Sequence, residues 1–82
     1  MDDSEILARI RTMVDAEHQL RSRAEEDASG SSADARAQLR ELEEALDQCW
    51  DLLRQRRARA EFDQDPDGAA VRPVDEVEGY LN

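Results

Sequence analysis

Two rows of apolar residues on either side of one short break constrain this chain more than any other feature. The first row is Ile6, Ile10, Met13, Leu20 and Ala24, with Glu17 filling its one gap. The second is Ala35, Leu39, Leu42, Leu46, Cys49 and Leu53. Both advance by alternate steps of four and three, which puts every member on one side of an α-helix and defines a heptad seam. The break reads ASGSS over residues 28–32. Gly30 frees the backbone to turn, and the serines compete for backbone hydrogen bonds. A connection this short makes the two helices antiparallel neighbours.

The rows also match each other. In an antiparallel hairpin the numbers of facing residues have a constant sum. One value of that sum pairs Ala24 with Ala35, Leu20 with Leu39, Glu17 with Leu42, Met13 with Leu46, Ile10 with Cys49, and Ile6 with Leu53. The layer beside the turn is Ala on Ala, where the helices must come closest. Periodicity within each row does not force this agreement between rows. The fold expected is therefore all-α: an antiparallel two-helix hairpin, coiled-coil-like, with a short docked C-terminal segment.

The expected boundaries are a helix over 3–27, a turn at 28–32 and a helix over 33–62. Asp2 or Asp3 can cap the first helix, and Ser31 or Ser32 the second, with Asp34 in its first turn. Residues 63–70, DQDPDGAA, read as an acidic flexible linker because of Pro66 and Gly68. In segment 71–82, VRPVDEVEGYLN, the residues Val71, Val74, Val77, Tyr80 and Leu81 recur about every third position. That is too apolar for a solvated tail, and it predicts a short turn or single-turn helix after Pro73, docked on the hairpin.

Composition removes several function classes. The net charge is −10, from 21 acids against 11 bases, all of them Arg. Nucleic acid and anionic membrane would both repel such a chain. A single cysteine forms no internal disulfide, so nothing calls for an oxidising compartment. No apolar run approaches the roughly 20 residues of a membrane span. The start, MDDSEILARI, is acidic and amphipathic, unlike a secretory signal. The expected location is the cytoplasm.

Few residues could carry chemistry. His18 is the sole histidine and points sideways from the seam, and Cys49 lies about two layers further along the opposite helix. A metal site needs more converging ligands, and a thiol nucleophile needs a nearby base. Glu17 reads either as a flank carboxylate paired with Arg21 or as a buried polar layer that fixes register. No catalytic residue, metal ligand, cofactor or small-molecule substrate is expected, and the chain is read as a non-enzyme. Two surface features remain. Leu7, Val14 and Trp50 form an apolar face beside the seam, which either the C-terminal segment, with Tyr80 and Leu81, or a partner could cover. Arg54, Arg56, Arg57 and Arg59 form a basic run, read as an internal clamp to acids of the first helix, Asp2, Asp3 and Glu5, and of the linker, or else as a nucleic-acid contact.

The phrases ILARIRTMVDAEHQLR, ELEEALDQCWDLLRQRRA and VRPVDEVEGYL together resemble a short, mainly actinobacterial family known as domain of unknown function 2630. The resemblance covers nearly the whole chain, with ASGSS and DQDPDG its looser parts. It implies a small helical cytoplasmic protein and supplies no activity, cofactor or mapped site. Two helices bury little, so the expectation is a protein–protein interaction module, most simply a homodimer forming a four-helix bundle. The alternative is a regulatory protein that touches nucleic acid or the transcription machinery through the arginine run at 54–59.

Overall fold

The computed structural model describes residues 1–26 and 32–81, with the backbone alone at Ala24, Glu26, Ser32, Tyr80 and Leu81. Its elements are α1 (Asp3–Glu26), α2 (Ser32–Glu61), a single 3-10 turn (Pro66–Gly68) and α3 (Val74–Leu81). Among the described residues there is no strand, and no helix is long and apolar enough to cross a membrane. The ASGSS turn, the capping expected of Ser31 or Ser32, and the Ala24 side of the last layer lie outside the described residues.

Helix α1 starts where an acid can hold its first turn. The Asp2 carboxylate accepts a hydrogen bond from the Glu5 amide at 2.8 Å, and Asp3 and Glu5 add charge at the positive end of the dipole. Both helices are rich in Ala, Leu, Glu and Arg, which lose little rotamer freedom in a helix.

The two long helices pack along the predicted seams. Ile6, Ile10, Leu46, Leu52 and Leu53 form one buried cluster, against which Leu7, Met13, Val14, Cys49 and Ala69 pack. Ile6 and Leu53, paired in the expected register, are almost fully buried. Asp3 and Arg56 continue that register one step outward and are joined at 2.6 Å. Toward the turn the seam thins: Leu20, Ala35, Leu39 and Leu42 are only partly buried. Leu52 lies beside the second row rather than in it, and it is buried with the cluster.

Helix α2 stops by a backbone device. The Gln64 amide bonds back to the Arg59 carbonyl at 2.7 Å and the Asp63 amide to Ala60 at 3.2 Å, the two bonds of a Schellman cap. Asp63 takes the left-handed conformation at φ 56°, a place glycine usually fills. Asp63→Gly should therefore raise stability by about 0.5–1 kcal/mol, read from the midpoint of a denaturant melt.

After this cap the chain turns back along α2. The stretch 63–70, expected to be a flexible linker, is tied down instead. Asp65 accepts the Asp67 amide at 3.0 Å, the Arg59 guanidinium donates to the Asp65 carbonyl at 2.6 Å, and Arg56 donates to Asp67 at 2.8 Å. Gly68 fits closely here, since a Cβ at that position would collide with the Arg59 guanidinium. The physical reason for the difference is that two arginines of α2 supply donors to acids and a carbonyl that would otherwise face water.

Helix α3 follows Pro73, whose carbonyl accepts the amides of Glu76 and Val77 at 3.1 Å. Its eight residues make two turns, one more than the single turn expected. It packs on α2, with Val77 buried.

Candidate functional site

Three faces of α2 have different occupants, and they sort the candidate residues. The first face lies to one side of the seam. Helical spacing brings Leu7 and Val14 of α1 and Trp50 of α2 to the same flank. Leu7 and Val14 are half-buried against the core cluster, while Trp50 remains 41% exposed. The Tyr80 and Leu81 side chains, which were grouped with this face, lie outside the described residues.

The second face lies across the seam from Trp50 and carries Arg56, whereas helical spacing puts Arg54 and Arg57, four and seven residues beyond Trp50, on the Trp50 side. Arg56 is buried, with Nε on Asp3 of α1 and Nη1 on Asp67 of the 3-10 turn. One guanidinium thus ties the first helix, the second helix and the return of the chain together. Those two carboxylates hold Arg56 firmly protonated, and its guanidinium holds Asp67 below the usual carboxylate range. Arg59 is committed to the Asp65 carbonyl. Arg54 and Arg57 are exposed.

The third face, behind α2 and away from α1, was not anticipated as a site. Gln48, Asp51 and Gln55 recur there at steps of three and four. Gln48 donates to the Arg72 carbonyl at 3.1 Å, and Gln55 donates to the Ala70 carbonyl and to Asp51, both at 2.9 Å. Asp51 is only 3% exposed. Arg72 reaches both of its oxygens, with Nε on Oδ2 at 2.9 Å and Nη2 on Oδ1. This two-toothed pairing is the strongest geometry available to a carboxylate and an arginine. The Arg72 hydrogen bond holds the Asp51 carboxyl below its ordinary value, against the opposing effect of burial. These contacts stand about 100–160° around α2 from Trp50. The described side-chain contacts of the C-terminal arm therefore fall on a different face from Trp50.

The residues weighed for chemistry are dispersed. Glu17 pairs with Arg21 at 3.1 Å, and Arg21 also reaches Glu43 of α2 at 3.1 Å, so the acid in the seam is answered at its rim. Burial pushes the Cys49 thiol up, with the charge of Arg9 opposing, which leaves it less thiolate than a free cysteine. His18 is exposed. Among the described residues no group of three or more His, Cys, Asp or Glu is placed to hold a metal ion.

A signal for the rear face did exist in the sequence. A polar row at heptad spacing, Gln48, Asp51 and Gln55, marks a face that could meet an element needing hydrogen bonds.

A hairpin of two long helices with a short helix strapped behind the second defines the class to which this protein belongs. The chain is a member of the family described as "Protein of unknown function (DUF2630)", which it matches over residues 2–82. It is similar to an uncharacterised protein of Mycobacterium tuberculosis strain H37Rv and to one of Mycobacterium bovis. Each is 51% identical over 78 residues, covering 95% of this chain and 88% of the relative. No solved structure matches the chain.

Proposed function

We propose that this protein is a non-enzymatic interaction module that pairs with a second copy of itself through the Leu7, Val14 and Trp50 face. The observation that carries this reading is Trp50. It is the single tryptophan of the chain, it stands beside two half-buried apolar residues, and it is 41% exposed. Tryptophan is among the commonest energetic anchors of protein interfaces. The shape of the chain supports the same reading. A compact monomer of 9.3 kDa exposes about 5,000 Å², whereas this chain exposes 5884 Å² and extends 53 × 25 × 15 Å. The excess is roughly what one partner contributes to an interface of standard size. Two such hairpins, face to face, make a four-helix bundle. A single cysteine suits a reducing compartment, and we place the pair in the cytoplasm.

The nucleic-acid reading has less behind it. Arg56 and Arg59 are engaged internally. The exposed Arg54 and Arg57 make a poor phosphate track on a chain of net charge −10.

Trp50→Ala tests the proposal. The expected loss is about 2 kcal/mol of association, or roughly thirtyfold in dimer affinity, with helicity retained. Sedimentation velocity and circular dichroism on the same samples read the two effects separately. Equal loss of mass and helicity would make Trp50 a structural residue, and an unchanged mass would remove it from any interface.

A further inference from the structure

The open strip of α2 around Trp50 is charged in an ordered way. At about 100° per residue, Glu43, Asp47, Arg54 and Arg57 lie within about 60° of Trp50 around the helix, and Arg40 and Glu61 within about 80°. Asp47 is half-buried and the other five are exposed. The seam residues Leu46 and Leu53 stand to one side of this strip, and Gln48, Asp51 and Gln55, which hold the arm, stand to the other. The signs reverse at Trp50. Asp47 and Glu43 lie three and seven residues before it, and Arg54 and Arg57 four and seven after it. Further out they reverse again, with Arg40 ten residues before and Glu61 eleven after. Within one copy this pattern sets like charges side by side, Glu43 four residues from Asp47 and Arg54 three from Arg57, which destabilises a helix. The strip is also neutral, three acids against three bases, on a chain of net charge −10. A second copy meets less repulsion here than over the surface at large.

We propose that α2 pairs with α2 of a second copy in an antiparallel register centred on Trp50, and that this reversal of sign selects both the register and the partner. The inference rests on the Trp50 face as a self-pairing surface and adds to it the orientation and the charges that fix it.

A two-fold axis beside Trp50 brings the two tryptophans together. It sets Asp47 against Arg54 of the partner subunit, Glu43 against the partner's Arg57, and Arg40 against the partner's Glu61. Symmetry makes each of these contacts twice. Glu43 also meets Arg21 of α1 at 3.1 Å, and a carboxylate has room for both arginines. Other alignments are penalised. A parallel pair lays every charge on its own kind. Sliding the antiparallel pair by one heptad sets Arg54 against its own mate and Asp47 against Glu61, or, slid the other way, Asp47 against its own mate and Arg40 against Arg54. Like charges across an interface suppress the wrong arrangement more than opposite charges strengthen the right one.

The test is charge reversal on either side of Trp50 in the full chain, read by sedimentation velocity, with circular dichroism on the same samples to check helicity. One variant carries Arg54→Glu with Arg57→Glu, the other Glu43→Arg with Asp47→Arg. Each alone should pair with itself at least about thirtyfold more weakly than wild type, because every reversed residue then faces its own sign. An equimolar mixture of the two should form a heterodimer within about tenfold of the wild-type affinity, since opposite signs face each other again. The basic variant separates register from general repulsion. It carries less net charge than wild type, so general repulsion alone would make it pair better, whereas the register makes it pair worse. A dimeric wild type with either variant self-pairing as tightly, or with a mixture that stays monomeric, overturns the register and leaves the Trp50 face to be judged by Trp50→Ala. A wild type that is monomeric at every concentration overturns the register and the self-pairing reading together.

Discussion

Leu53→Ala is expected to lower the stability of the hairpin by about 3 kcal/mol, within the usual range for a leucine cut from a packed core. Leu53 is 1% exposed and faces Ile6, which is 0% exposed, across the seam. Ala69 of the returning chain also packs on this cluster, but its single methyl is too small to fill the space a leucine leaves. A chain of this size has few such layers, and its whole stability is of the order of 5 kcal/mol. The thermal midpoint should fall by roughly 15 °C on the scaling for domains of 60–100 residues. Leu39→Ala, in a half-buried layer nearer the turn, should cost about half as much. Thermal melts at one fixed protein concentration read both, since self-association would otherwise shift the midpoint. Equal losses at the two positions would contradict the graded seam.

Arg72→Ala should release the C-terminal arm while leaving the hairpin standing. Stranding a buried carboxylate without its partner costs about 3–5 kcal/mol if nothing moves. Asp51 has a cheaper way out. The arm covers it through Arg72, Ala70 and α3, and α3 rests on α2, so lifting the arm returns Asp51 to water. The expected result is loss of exchange protection across α3, with the hairpin melt changed by less than about 1 kcal/mol. Asp51→Ala should be milder, because the Arg72 it leaves is 28% exposed in its side chain and can reach solvent. Hydrogen exchange resolved by residue reads all of this. A global loss of protection in Arg72→Ala would show that the arm and hairpin unfold as one.

These expectations also show what was legible in the sequence. The seam was legible because a two-helix register is a matter of spacing. Ile6 with Leu53, and Asp3 with Arg56 one step beyond, follow from counting residues. The end of α2 was legible to within about two residues from the change in composition at Asp63, but its Schellman cap was not, since an aspartate stands where glycine is the usual signal. The arm was legible as an apolar segment that docks. Its landing place was marked only by the polar row Gln48, Asp51 and Gln55; the backbone carbonyls that Gln48 and Gln55 bind are present on every residue, and no sequence pattern singles them out. Asp51 was hidden for a related reason. A mid-helix aspartate off the seam resembles any solvated one until Arg72 arrives from 21 positions away. The tying down of 63–70 depends on Arg56 and Arg59; the clamp between the arginine run and the linker acids was legible as charge, but the Arg59 bond to the Asp65 carbonyl was not, since it uses backbone.

The face beside the seam is the part of the molecule on which the proposed function rests, and Trp50 reports on it directly because the chain has no other tryptophan. The decisive measurement is Trp50 emission, followed with light-scattering mass through a dilution series of the wild-type chain. A self-paired chain should show a mass near twice 9.3 kDa with blue-shifted emission at high concentration, and a shift to the red as the mass halves on dilution. A mass of 9.3 kDa at every concentration with constant emission, from a cooperatively folded chain, would contradict it.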